Sequence, residues 1–174
     1  TAMGRRTLRR WLCYPLRERE PIERRQRQVG AMVEDHRLTD GLRQTLDTVH
    51  DVERIIGRVS VGRATPRDLV ALGGSVSCVG RLVELLDARP AFAEHHETLT
   101  LAAAELTPIA ERITSACVDA PPAHLREGGL IRDGFDEELD EARTLQRDSH
   151  QWLARYQKQV TEQTGVPSLK VGFN

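Results

Sequence analysis

The stretch TPRDLVALGGSVSCVGRLVELL, residues 65–86, decides the fold class. Thr65 offers a hydroxyl oxygen just ahead of Pro66, and proline suits a first helical position because its missing N–H would have no partner there. Asp68 then falls near the positive end of the helix dipole. A helix starts at Pro66. Leu69, Leu72, Val76, Val79, Val83 and Leu86 follow at spacings of three and four, the seam of a helix packed along another helix. Gly73 and Gly74 lie inside it and cost about 1 kcal/mol each, unless a neighbour approaches closely.

The same periodicity extends in both directions. Residues 4–14 read as a short helix with Leu8, Trp11 and Leu12 on one side, stopped by Pro15. Pro21 suits the first position of a second helix, marked by Ile22, Val29, Met32 and Val33 and running to about residue 35. Thr39 or Asp40 is the expected cap of a third, whose stripe from Leu42 to Val59 bends or restarts near His50 and ends at Gly62. Beyond a break at Pro90, Leu99, Ala102, Leu106, Ile109, Ile113 and Cys117 form another stripe, with a kink or restart expected at Pro108. Glycines at 128, 129 and 134 exclude regular helix over residues 125–135, so an ordered loop is expected there. Residues 136–164 then form one long helix with Gly165 as its C-terminal cap, about 43 Å at 1.5 Å per residue. Its narrow apolar seam suits a helix that projects and pairs with one partner. Leu169, Val171 and Phe173 alternate like a half-buried strand, which needs a partner strand, so the natural protein is expected to continue.

The expected architecture is all-α: a multi-helical core over residues 1–135, one long projecting helix over 136–166, and a strand beginning in 167–174. Abundant Leu, Ala, Arg and Glu with 4% aromatic residues fit this. The net charge of -1 hides an asymmetry. Residues 1–28 hold nine Arg against three Glu, whereas residues 119–148 hold nine acids against four Arg. Three widely spaced cysteines, Cys13, Cys78 and Cys117, offer neither a disulfide framework nor a metal pair and read as small buried apolar residues. No apolar run approaching the ~18 residues of a membrane span is apparent, and the Arg-rich start lacks a signal peptide's apolar stretch, so no membrane role and a cytoplasmic location are expected.

Four blocks in order resemble the MutS family of DNA mismatch-repair proteins. They are GRRTLRRWL at 4–12 with Pro15 and Leu16; DVERIIGR at 51–58 with GRATPRDL at 62–69; REGGLIRDGFDEELD at 126–140; and TGVPSLKVGFN at 164–174. Tyr14, where the family often has a basic residue, and the paired glycines at 73 and 74 depart from its pattern. The resemblance covers nearly the whole chain. It implies a multi-domain ATPase that binds mismatched duplex DNA as a dimer, in a bacterial cytosol and at the nucleoid, with a MutL-type protein as a candidate partner. This chain would be the first part of the core domain, the outgoing lever helix and the entry to the clamp. ATP and Mg would belong to the full-length protein.

No catalytic, cofactor-binding or metal residue is expected in the chain itself. The phosphate-binding loop pattern Gly-x-x-x-x-Gly-Lys-Ser/Thr is absent, as is Gly-x-Ser-x-Gly. Phe92-Ala93-Glu94 matches the Phe-x-Glu with which the family stacks on a mismatched base, but follows the core blocks it should precede. His95 and His96 are adjacent, point to different sides of a helix and read as surface residues. Asp136, Glu137, Glu138, Asp140 and Glu141 suit the opening turn of a long helix, where the dipole favours acids. Gly128, Gly129 and Gly134 are the candidate coupling residues, fixing the lever's start against the core. Arg5, Arg6, Arg9 and Arg10 put like charges at i,i+4 and want anions, which nearby acids or a DNA backbone could supply. The competing reading is an autonomous helical module that binds nucleic acid through this Arg-rich helix.

Overall fold

In the computed structural model, which describes residues 1–166, the Thr65 hydroxyl oxygen accepts the Asp68 N–H at 3.2 Å and an Asp68 carboxylate oxygen accepts the Thr65 N–H at 3.0 Å. This reciprocal capping box opens the helix expected at Pro66. Seven α-helices run through the described residues: α1 (Ala2–Cys13), α2 (Arg19–Glu34), α3 (His36–Asp47), α4 (Val52–Ser60), α5 (Pro66–Leu86), α6 (Ala93–Ala116) and α7 (Glu137–Thr164). Single 3-10 turns occupy Pro90–Phe92 and Leu125–Glu127. The sole β pairing among the described residues is an isolated antiparallel bridge between Cys117 and Ile131. The fold is all-α, as expected. The strand expected near the C-terminus lies outside the described residues.

Contacts divide the chain into two units, Thr1–Arg132 and Asp133–Asn174. In the first, α5 packs along α6, while α3 and α4 lie against α5, and α2 contacts both α3 and the Pro90–Phe92 turn. Leu38, Leu42, Leu86 and Phe92 form the buried centre, flanked by Met32, Leu82, Leu85 and Leu99. At Gly73 α6 comes close to α5: a Cβ built there would lie 2.7 Å from Ile113 Cγ2, whereas one on Gly74 meets nothing within 4 Å. The close approach expected for this pair therefore exists at one glycine and not the other. Gly41 plays the same part for α3, its Cβ position 2.8 Å from a Leu85 methyl. The second unit, as described, is α7 and its lead-in; its 28 residues extend about 42 Å.

Several local expectations shift. Helix α3 is capped by Asp35, whose Oδ1 accepts the Leu38 N–H at 2.9 Å, so neither Thr39 nor Asp40 caps it. One residue separates α2 from α3, and Thr39, already inside, donates its hydroxyl to the Met32 carbonyl at 2.6 Å. Pro21 stands at the third position of α2, still in the first turn where a missing N–H costs nothing. The stripe expected to bend near His50 breaks after Asp47 and restarts at Val52. Pro108 sits inside α6, which runs on without a restart, and Ile109 is exposed while Ala110 is buried. Of the cysteines only Cys117 is buried; Cys13 is exposed and Cys78 is intermediate, because α1 and the outer side of α5 are less covered than the core. Also, α5 is long and apolar enough, by length and composition, to cross a membrane, contrary to the reading that no run approaches one. Its partners are nevertheless the helices α3, α4 and α6.

Candidate functional site

Each candidate coupling glycine has a backbone that only glycine adopts cheaply. Gly128, Gly129 and Gly134 have φ of 69°, 73° and 81°, in the left-handed region where a Cβ crowds the following carbonyl. Space is not the constraint, since a Cβ on any of the three would meet nothing within 4 Å. Just before them, the turn Leu125–Glu127 closes with the Gly128 N–H donating to the Leu125 carbonyl at 3.2 Å. The chain then returns alongside the end of α6. The Val118 N–H donates to the Leu130 carbonyl at 2.9 Å, and the Arg132 N–H to the Ala116 carbonyl at 2.8 Å. Arg132 also reaches Asp119 at 2.6 Å. Burial at this bridge pushes the Cys117 thiol pKa up.

Within the second unit the start of α7 is held by its own side chains. Asp136 caps the helix, accepting the Leu139 N–H at 2.9 Å. Asp140 accepts the Gly134 N–H at 2.6 Å, and Arg143 donates to Asp133 at 2.9 Å and to Asp140 at 3.3 Å. Glu137, Glu138 and Asp140 all fall in the first turn, where the dipole favours them. These acids pin and cap a helix start. Among the described residues no group of three His, Cys, Asp or Glu converges as a metal site.

The four candidate arginines of α1 separate. Arg6 turns inward and donates to both oxygens of Asp51, at 2.6 and 2.7 Å, and to Glu53. The Arg6 guanidinium holds the Asp51 carboxyl down to about 2. Asp51 is at once the N-cap of α4, its Oδ1 accepting the Arg54 N–H. By contrast, Arg5, Arg9 and Arg10 are exposed and have no hydrogen-bond or ion-pair partner among the described residues. Beside them, the Arg25 guanidinium of α2 lies 3.6 Å above the Trp11 ring, joining α1 to α2.

Sequence reading missed the pairings that fasten these elements. Arg58 of α4 donates to both oxygens of Asp68 and holds its carboxyl well below the usual range, so the capping box of α5 is also an ion pair. Ser75, buried on α5, accepts the His50 N–H at 3.0 Å. Asp51 directly before Val52 was a findable cap signal; its distant arginine was not. Phe92 is packed into the core, so Phe92-Ala93-Glu94 has no exposed ring to stack on a base. His95 is exposed and His96 partly so. His95 Nδ1 lies 3.3 Å from Gln28 Nε2.

Residues 1–167 match the family described as MutS domain III. Over the whole chain, the protein is 43% identical to a DNA mismatch repair protein MutS of Salinibacter ruber, 42% to one of a Synechococcus strain and 41% to one of Methanosarcina acetivorans. These alignments take in 100% of this chain but 19–20% of those relatives, so it spans about a fifth of their length.

Proposed function

The chain belongs to the MutS family, matching its domain III, and from that membership we propose that it acts as a non-catalytic core and lever portion of a DNA mismatch-repair ATPase, coupling ATP-driven changes to a DNA clamp. The observation that carries this reading is the junction at residues 125–140. There the end of one helical unit is pinned by a bridge of two backbone hydrogen bonds, three glycines hold conformations that only glycine adopts cheaply, and a long helix begins under its own acidic cap. A helix of about 42 Å, once paired along its outer half, could carry a displacement over its length.

Mismatched duplex DNA, a second subunit and a MutL-type protein are the partners this role implies, in the cytosol. ATP and its Mg ion do not fit the residues here, since the chain has no phosphate-binding loop. They would belong to the remainder of the protein, and no step passes through this chain's side chains. Wide apolar faces support the same reading. Leu8 and Leu12 of α1, Val29 and Val33 of α2 and Ile56 of α4 are exposed, which suits surfaces covered by other parts of a longer protein.

The test is made in a full-length MutS protein carrying this segment. Replacing Gly128 and Gly129 by Val should leave nucleotide and DNA binding in place while cutting the ATP-induced release of mismatched DNA. Unchanged release with a folded protein would overturn the coupling role.

One observation favours a second reading, in which the chain binds nucleic acid by itself: Arg5, Arg9 and Arg10 present three unpaired cations on one exposed helix. Duplex affinity of the isolated chain, surviving at physiological salt and lost on removing these three, would establish it.

A further inference from the structure

The residues just ahead of α7 are stapled to the helix they lead into. Arg143 donates to Asp133 at 2.9 Å and to Asp140 Oδ1 at 3.3 Å, while the other oxygen of Asp140 accepts the Gly134 N–H at 2.6 Å. Asp136 accepts the Leu139 N–H. Asp133, Gly134 and Asp136 therefore each hold a bond to the helix that follows them.

The bonds are unequal. Asp133 is 92% exposed, so its pair with Arg143 is screened by solvent and contributes little alone. Asp140 and Arg143 are 32% and 24% exposed, and the bond from the Gly134 N–H to a carboxylate is charge-assisted, which makes Asp140 the centre of the staple. Arg143 holds that carboxylate in place from one turn further along. Gly134 makes its bond at a φ of 81°, which glycine alone adopts cheaply.

We infer that Asp140 and Arg143 are positioning residues of the coupling role. They make residues 133–143 one body, so the lever begins at Asp133, four residues before its first helical residue, Glu137. The chain's contacts divide at the same residue. Gly134 thus belongs to the lever and is no pivot, unlike Gly128 and Gly129, which precede the division. Without the staple, residues 133–136 are a free tether that extends to about 13 Å at 3.3 Å per residue. Switching helices move by about 1–5 Å, so such a tether would absorb the whole displacement as slack. The inference rests on the coupling reading above.

The test uses a full-length MutS protein carrying this segment, with ATP-induced release of mismatched DNA as the readout. Asp140→Ala and Arg143→Ala should each slow that release about fivefold or more, the lower end of couplings between sites. ATP affinity, DNA affinity without nucleotide and melting temperature should stay at the parent values. Arg143→Lys keeps a donor for the carboxylates and should recover most of the rate. Hydrogen exchange of the Gly134 amide should speed up in Asp140→Ala, while the Leu139 amide, held by Asp136, keeps its protection. Parent release in both alanine variants, with Gly128→Val and Gly129→Val still slowing it, would overturn this inference and leave the coupling role standing. Parent release in all four would overturn both. Slow release with an equal loss of ATP or DNA binding, or a Gly134 amide unchanged in Asp140→Ala, would also overturn the positioning role.

Discussion

Arg6 and Asp51 form a two-pronged contact across 45 positions of sequence, two guanidinium nitrogens on two carboxylate oxygens, and the same carboxylate caps α4. One acid thereby ties the first helix to the start of the fourth.

The acid limb of stability should carry the mark of this contact. Asp51 is held at about 2 in the folded chain and sits near 3.9 when unfolded. Its contribution is therefore complete above about pH 4 and is lost as the pH falls through about 2, where the folded carboxylate is protonated in turn. Asp35 and Asp68 are also lowered, by the Leu38 N–H and by Arg58 respectively, and add to the same limb. Thermal melts between pH 5 and pH 2 should fall steeply, and Asp51→Asn should flatten that fall. A variant with the parent's pH slope would refute the assignment.

Adjacent glycines on α5 should respond in opposite senses. Gly73→Ala drives a methyl group into Ile113 at 2.7 Å and should cost about 1–3 kcal/mol, the usual penalty of overpacking. Gly74→Ala meets open space and should gain about 1 kcal/mol of helix propensity. Denaturant titration of the pair checks both, and equal effects at the two positions would show that Ile113 does not set the spacing of α5 and α6.

At the junction the backbone, not the space, is limiting. Gly129→Ala should lose about 1–2 kcal/mol although its methyl group would touch nothing, and Gly129→Val more, because a β-branched residue tolerates positive φ worst. Parent-like stability in Gly129→Ala would show that the loop relaxes to another conformation at no cost.

Duplex binding by the isolated chain should be weak, salt-sensitive and indifferent to mismatches. Arg5→Ala, Arg9→Ala and Arg10→Ala together should lower the slope of log affinity against log salt by up to about 2.7, at 0.9 per neutralised phosphate. Arg6→Ala should leave the slope unchanged and lower the melting temperature instead, since its charge is already spent on Asp51. An equal slope change from Arg6→Ala would contradict the division of the cluster.

Hydrogen exchange in dilute solution should grade the helices. Backbone amides of α5 along the α6 contact should exchange slowly, whereas those of α7 beyond about residue 150 should exchange fast, since an isolated helix of this length is marginal in water. Equal protection in a dilute monomer would show that α7 is rigid without a partner.

Helix existence was readable from periodicity and caps: Thr65, Pro66 and Asp68 announce α5, and Asp136 with Gly165 brackets α7. Facing was less readable. Leu8, Val29, Val33 and Ile109 satisfy an apolar period yet are exposed, because a period shows which residues share a side but not whether anything lies against it. Asp35 is harder to see as a cap than Thr39 or Asp40, because a single residue can end one helix and cap the next, which looks like one uninterrupted stretch in sequence. The separation of Arg6 from Arg5, Arg9 and Arg10 depended on Asp51, a partner that no local rule connects to it.

The bridge between Cys117 and Ile131 folds the chain after α6 back onto that helix's own end. Val118 to Leu130 and Arg132 to Ala116 are the two hydrogen bonds that close the loop between α6 and the approach to α7. Arg132 adds its ion pair with Asp119 to them. Residues 118–130 are thereby a closed loop hung on the end of α6, a length of chain that stays out of reach for as long as those contacts hold.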